Sequence, residues 1–151
     1  MANVRCTMGN EDKKEYLKQY RRVCRKLEAL QEQAQSLKEL ESSAKAQRIS
    51  DMPRGSSGRS DLADIIIKLE ELQSKIDDKI KESLELRLEI ENAILTVEGA
   101  EEVMVLRMRY IEFMRWEDIA EHMKYATAQI YRIHGRAIKQ LKLKKIKDDS
   151  K

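Results

Sequence analysis

A chain of 151 residues with 38% charged and 5% aromatic side chains, one proline and five glycines lacks the bulky apolar content of a thick globular core or a sheet. Its length fits one domain, or a small domain joined to an elongated helical part. The net charge of +3 is modest but unevenly spread: thirteen Lys/Arg face eight Asp/Glu in residues 1–60, five face eleven in 61–98, and twelve face eight in 99–151.

Residues 1–10 are expected to form a flexible N-terminus, followed by a first long helix from Glu11 to about Gln47. Within it Tyr16, Tyr20, Val23, Leu27, Leu30, Ala34 and Leu37 recur at alternating steps of four and three, the spacing of a coiled-coil seam. The stretch Ser50-Asp-Met-Pro-Arg-Gly-Ser-Ser-Gly58 holds the single proline and two of the five glycines, so a mobile helix-breaking loop is expected over 48–60. A second helix follows from Asp61, a candidate N-cap, to about Glu98. Leu62, Ile65, Leu69, Leu72 and Ile76 keep the same rhythm. Lys79 and Ser83 then interrupt it, and Ile80 and Leu84 predict a stripe that drifts round the helix before Leu86, Ile90, Ala93 and Val97 resume it. Each segment spans roughly 55 Å at 1.5 Å per residue. Equal length and opposite charge favour an antiparallel hairpin over 11–98 within one chain, although pairing between chains fits the same pattern. Some self-association through these helices is expected as well, because a two-helix seam buries little surface.

Gly99 marks a hinge into a compact three-helix unit over 99–143, ahead of a basic tail at 144–151. Its expected helices are Glu101–Phe113, Trp116–His122 and Ala126 to about Leu143. The fold class expected is therefore all-α: a long antiparallel helical hairpin or coiled coil, then a C-terminal helix-turn-helix domain. In the last two helices, Ile119, Met123, Ile130 and Ile133 are placed to fill the angle between them, and the small Ala120 allows a close crossing. From Lys124 onward nine basic residues face only Asp148 and Asp149, an electrostatic footprint suited to DNA.

On a helical wheel Ile130, Ile133, Ala137 and Leu141 share one arc, with His134 at its edge. Thr127, Ala128, Gln129, Tyr131, Arg132, Gly135, Arg136 and Lys139 occupy the rest. Gln pairs with an adenine edge through two groups and Arg does the same with guanine, so Gln129 and Arg132 are the leading base readers. Thr127 and Ala128 are placed near a thymine methyl or the backbone, and Tyr131 suits either a DNA contact or the edge of the core. Arg115, Lys124, Arg136, Lys139 and Lys142 are assigned to phosphates. Lys139, Lys142 and the tail are equally well explained as a solvated face. Trp116 is expected to be a structural anchor. His122 and His134 have no carboxylate or cysteine at ligand spacing, and an exposed or half-buried structural role is expected for both.

Cys6 and Cys24 are isolated, which predicts free thiols and no zinc site. No apolar run approaches the ~20 residues that span a bilayer, and no signal-peptide stretch opens the chain, so a cytoplasmic protein is expected. With no Gly-rich phosphate loop, metal constellation or nucleophile–base set, neither catalysis nor a cofactor is expected.

Trp116-Glu-Asp-Ile-Ala-Glu-His-Met123 followed by Gln129-Ile-Tyr-Arg-Ile-His-Gly-Arg-Ala-Ile-Lys-Gln-Leu141 resembles region 4 of bacterial sigma-70-type sigma factors. Val105-Leu-Arg-Met-Arg-Tyr110 is similar to the supporting helix of that region, so the resemblance covers about the last third of the chain. The whole layout is similar to small phage and prophage regulators of Gram-positive bacteria, with a helical N-terminal part before a region-4-like domain. The resemblance implies promoter binding, control of late or packaging genes, and contact with host RNA polymerase. Lys124 stands where such corners usually carry Gly, and Ala126 where Ser or Thr usually caps. No aromatic-rich promoter-melting segment is present, so the likeness does not extend to a complete sigma factor. Two other classes compete with a transcription regulator: a small terminase-like packaging subunit, and a coiled-coil adaptor that grips RNA polymerase.

Overall fold

The computed structural model describes residues 8–49 and 57–143. The described residues form five helices: α1 (Asn10–Ile49), α2 (Ser57–Ile94), α3 (Ala100–Tyr110), α4 (Trp116–Met123) and α5 (Thr127–Gln140). The all-α expectation holds. Residues 1–7 of the expected flexible start, 50–56 of the expected 48–60 loop, the tail and Cys6 lie outside the described residues, while 48–49 and 57–60 of that loop are helical. Where helix boundaries are described, α2 already begins at Ser57, so Asp61 lies within the helix and is not its N-cap. Cys24 is a half-buried free thiol.

The chain divides into two compact units, one of them Val23–Ser83 and the other grouping the chain up to Arg22 with the chain from Leu84. The units are thus not drawn at Gly99, where the sequence placed a boundary; the ends of both long helices belong with the three short ones.

In the Val23–Ser83 unit the two helices form an antiparallel pair within one chain. Ala34, Leu72 and Ile76 make its buried centre, with Leu27, Leu30, Leu37 and Leu69 packed around them. The seam does not drift. Ser83 is buried at 8% exposure and Lys79 half-buried, both in register with Leu72 and Ile76, while Ile80 faces solvent. Two polar side chains remain in the seam because each finds a partner. The Ser83 hydroxyl donates to the Ile80 carbonyl at 2.8 Å. Lys79 lays its stem along the pair and reaches Glu82 at 2.7 Å.

In the other unit, Leu17 and Tyr20 of α1 and Ile90, Ala93 and Ile94 of α2 are buried beside the three short helices. The first turns of α1 are pinned at three places. Tyr16 donates to Glu89 at 2.5 Å. The Tyr20 ring lies 5.3 Å from that of Phe113. Lys13 Nζ donates to the Ile138 carbonyl at 3.0 Å. Burial and the Glu89 carboxylate together raise the Tyr16 phenol above its ordinary value.

After α2, Thr96 and Val97 bond back to Ala93 and Ile94, and Gly99 is the N-cap of α3. A Cβ on Gly99 would stand 1.8 Å from the Glu102 carboxylate, so any other residue there would make the end of that flexible side chain shift. α3 stops at Tyr110, short of the expected Phe113, because Ile111 and Glu112 both donate to the Arg107 carbonyl and Phe113 turns left-handed at φ 59°. Arg21 covers the Phe113 ring at 5.8 Å.

Candidate nucleic-acid interface

The apolar side chains of α3, α4 and α5 converge on one cluster: Val105, Met108, Ile119, Ala120, Ile130 and Ile133, with Met114, Trp116 and Met123 against it. Ala120 and Ile119 are therefore buried where the short helices meet, and Met123 seals the angle, as their spacing requires.

Lys124 makes the corner. It sits at φ 59°, ψ 40°, the left-handed conformation that favours glycine. The strain is offset by two backbone bonds that close the end of α4: Lys124 N–H donates to Glu121 at 3.2 Å and Tyr125 N–H to Ala120 at 3.0 Å. Tyr125 also donates its hydroxyl to Glu101, which ties the corner to the first turn of α3. Ala126 is the N-cap of α5 and offers no side-chain cap.

On α5 the inward residues are Ile130, Ile133, His134, Ala137 and Ile138. His134 corrects the expectation of an exposed or half-buried ring: it is buried at 7% exposure, its Nε2 2.8 Å from the Tyr110 hydroxyl and its ring edge-on to Trp116 at 4.8 Å. Burial, reinforced by the positive charges of Lys14, Arg109 and Lys18, pushes its pKa down to about 4. Burial likewise pushes Tyr110 up to about 12, partly opposed by Arg109. His122 is exposed.

Trp116 is the hub of an aromatic column. Arg109 lies over its ring at 4.5 Å, and the same guanidinium donates to the Met114 carbonyl at 3.0 Å. On the other side the Tyr131 ring packs 5.1 Å away while the side chain keeps 49% exposure. Tyr131 therefore covers the core edge and also presents about half of its surface to solvent on the outer face of α5.

The base-reading candidates do not share one environment. Ala128, Tyr131 and Arg132 are exposed, whereas Thr127 and Gln129 are half-buried at the start of the helix. The phosphate candidates also fall into two groups. Arg115 is held by Asp118 at 3.0 and 3.2 Å, a pairing that raises the arginine and lowers the aspartate pKa. Arg136 is held by Glu102 at 3.1 Å, its partner almost buried at 12%. Lys124, Arg132, Lys139 and Lys142 extend exposed side chains with no ion pair among the described residues. α5 itself carries Arg132, Arg136 and Lys139 and no acidic residue.

Three positioning contacts escaped the sequence reading. Lys13 caps the carbonyl end of α5, Glu102 holds Arg136, and Arg109 braces Trp116. Only Glu102 left a local trace, at the third helical position after Gly99, where a carboxylate favours a helix start.

Among the described residues no group of His, Cys, Asp and Glu could hold a metal ion, and no helix is long and apolar enough to cross a membrane. The site is a helix-turn-helix in which α5 carries no carboxylate, whereas α4 carries Glu117, Asp118 and Glu121. The chain belongs to the family described as a protein of unknown function, DUF1492, whose model matches residues 40–142. That match runs from the later part of α1 to just beyond α5. No curated protein and no solved structure matches the chain.

Proposed function

We propose that the protein is a sequence-specific regulator of transcription, phage- or prophage-encoded and acting in the bacterial cytoplasm, that lays α5 in the major groove of promoter DNA. The observation that carries this reading is the outer face of α5: three cations, no carboxylate, and an exposed, unpaired Arg132 on a helix whose other face is anchored in a fully buried core. Arg132 is the principal base reader on this view, with Tyr131 and Ala128 beside it. Gln129 and Thr127 serve the helix entry. Lys124, Lys139 and Lys142 hold phosphates, and Arg115 and Arg136 do so only by leaving Asp118 and Glu102. The likeness to sigma region 4 supports contact with host RNA polymerase. Pairing of two copies through the long helices would place two half-sites about 34–36 Å apart.

Selection of bound fragments from random duplex DNA, with sizing of the complex in solution, tests the reading. A recurring motif is expected. Arg132→Ala should lose about 1–3 kcal/mol of discrimination at one base position while binding to unrelated DNA falls much less. An equal loss on every sequence would refute base reading by Arg132. A ring-sized assembly at a packaging site would favour the terminase-like alternative, and tight polymerase capture with weak DNA binding the adaptor.

A further inference from the structure

Gly135 lies in the middle of α5, where glycine weakens a helix relative to alanine. Nothing among the described residues calls for it. Its φ is not positive, so no turn depends on its freedom. A Cβ built there meets no atom within 4 Å, so no neighbouring helix depends on its smallness either. A helix that keeps a destabilising residue with open space in front of it is shaped for something outside the chain.

What that something is follows from the surroundings. Helical spacing puts Ala128, Arg132, Gly135 and Lys139 on one line, exposed at Ala128, Arg132 and Lys139 and half-buried at Gly135, with Tyr131 and Arg136 on its flanks. Small and cationic residues alternate along it, and α5 supplies no negative charge to repel a phosphate. Gly135 lowers the helix surface between two cations that reach past it on either side.

We infer that Gly135 is the point of closest approach between α5 and the sugar-phosphate backbone of duplex DNA, a contact that a single methyl group would obstruct. The inference rests on the DNA-binding reading above and adds a steric element to it. Lys139 supplies the attraction to phosphate while Arg132 reads the bases, and the bare Cα sets how closely the strand can approach.

The test compares the full chain with Gly135→Ala and Gly135→Leu, using a duplex fragment recovered by selection and an unrelated duplex of equal length. Alanine should raise the melting temperature, because it favours the helix and meets nothing. It should also weaken binding at least tenfold on both duplexes, since a backbone contact carries no sequence; leucine should weaken it further. A more stable protein that binds worse is a combination that a merely structural glycine would not give. Equal DNA affinity for wild type and Gly135→Ala would overturn the inference while leaving the regulator reading intact. Unchanged DNA binding with an altered mass in sedimentation would overturn it in favour of a protein partner on this face. Failure of the wild type to bind any duplex would refute the regulator reading itself, and this inference with it.

Discussion

In the Val23–Ser83 unit even Ile76, the best-buried seam residue, keeps 5% of its surface exposed, whereas Val105, Ile119, Ile130 and Ile133 in the other unit reach 0%. A pair of helices can only face each other, so each seam residue stays wet at its edges. Three short helices at an angle surround their residues. The first arrangement spreads its stabilisation along a repeat and tolerates Ser83 and Lys79 within it. The second concentrates stabilisation in one cluster that α3, α4 and α5 all share.

The contrast can be broken by truncation. Ile133→Ala removes a fully buried side chain from the shared cluster and is expected to cost about 4 kcal/mol. Leu72→Ala, in a seam that water already touches, should cost about 2 kcal/mol. Denaturant unfolding of both variants measures the difference, and equal costs would erase the distinction between the units.

A second effect should belong to the three-helix unit alone. His134 has a folded pKa of about 4, below its ordinary 6.5, so the unfolded chain binds its proton first. Its contribution is fully present above about pH 6.5 and is lost as pH falls toward 4, with a slope of up to about 1.4 kcal/mol per pH unit. NMR of the His134 ring together with pH-dependent unfolding checks this. A ring titrating near 6.5 in the folded protein would sink it.

Smaller effects sharpen the comparison at the helix ends. Ala126→Ser should add about 1 kcal/mol by giving α5 the cap it lacks. Lys13→Met should remove about 0.5 kcal/mol at the opposite end of the same helix. Thermal melts of both resolve them; a Lys13→Met protein as stable as wild type would show that its bond to α5 contributes nothing measurable.

What could be read from the chain in advance was whatever repeats or lies close by. The four-three spacing of the leucines and isoleucines located the paired helices, and Ile119, Ala120, Ile130 and Ile133 outlined the crossing of α4 and α5. Lys124 and Ala126 stood out as unusual corner residues, and both occupy the positions that made them so. Ser83 misled because a polar residue in a seam looks like an interruption until its hydroxyl is seen to bond within its own helix. Phe113 gave no sign of its left-handed turn, since neither glycine nor asparagine marks it. The pairs Tyr110–His134, Glu102–Arg136 and Lys13–Ile138 join residues 24, 34 and 125 positions apart, and no local pattern connects them. Of the candidate site, the outward placing of Ala128, Tyr131, Arg132 and Lys139 was therefore legible, but the half-burial of Thr127 and Gln129 and the cations already engaged were not.

The bond from Lys13 to the far end of α5 also fixes an order of events during synthesis. The ammonium leaves the ribosome long before its carbonyl partner exists; at about 5–20 residues per second, ~6–25 s separate the two. Tyr16 and Tyr20 wait in the same way for Glu89 and Phe113. Until then the opening turns of α1 must remain helical or fray without these partners. The last helix to be translated completes the unit that the first helix begins.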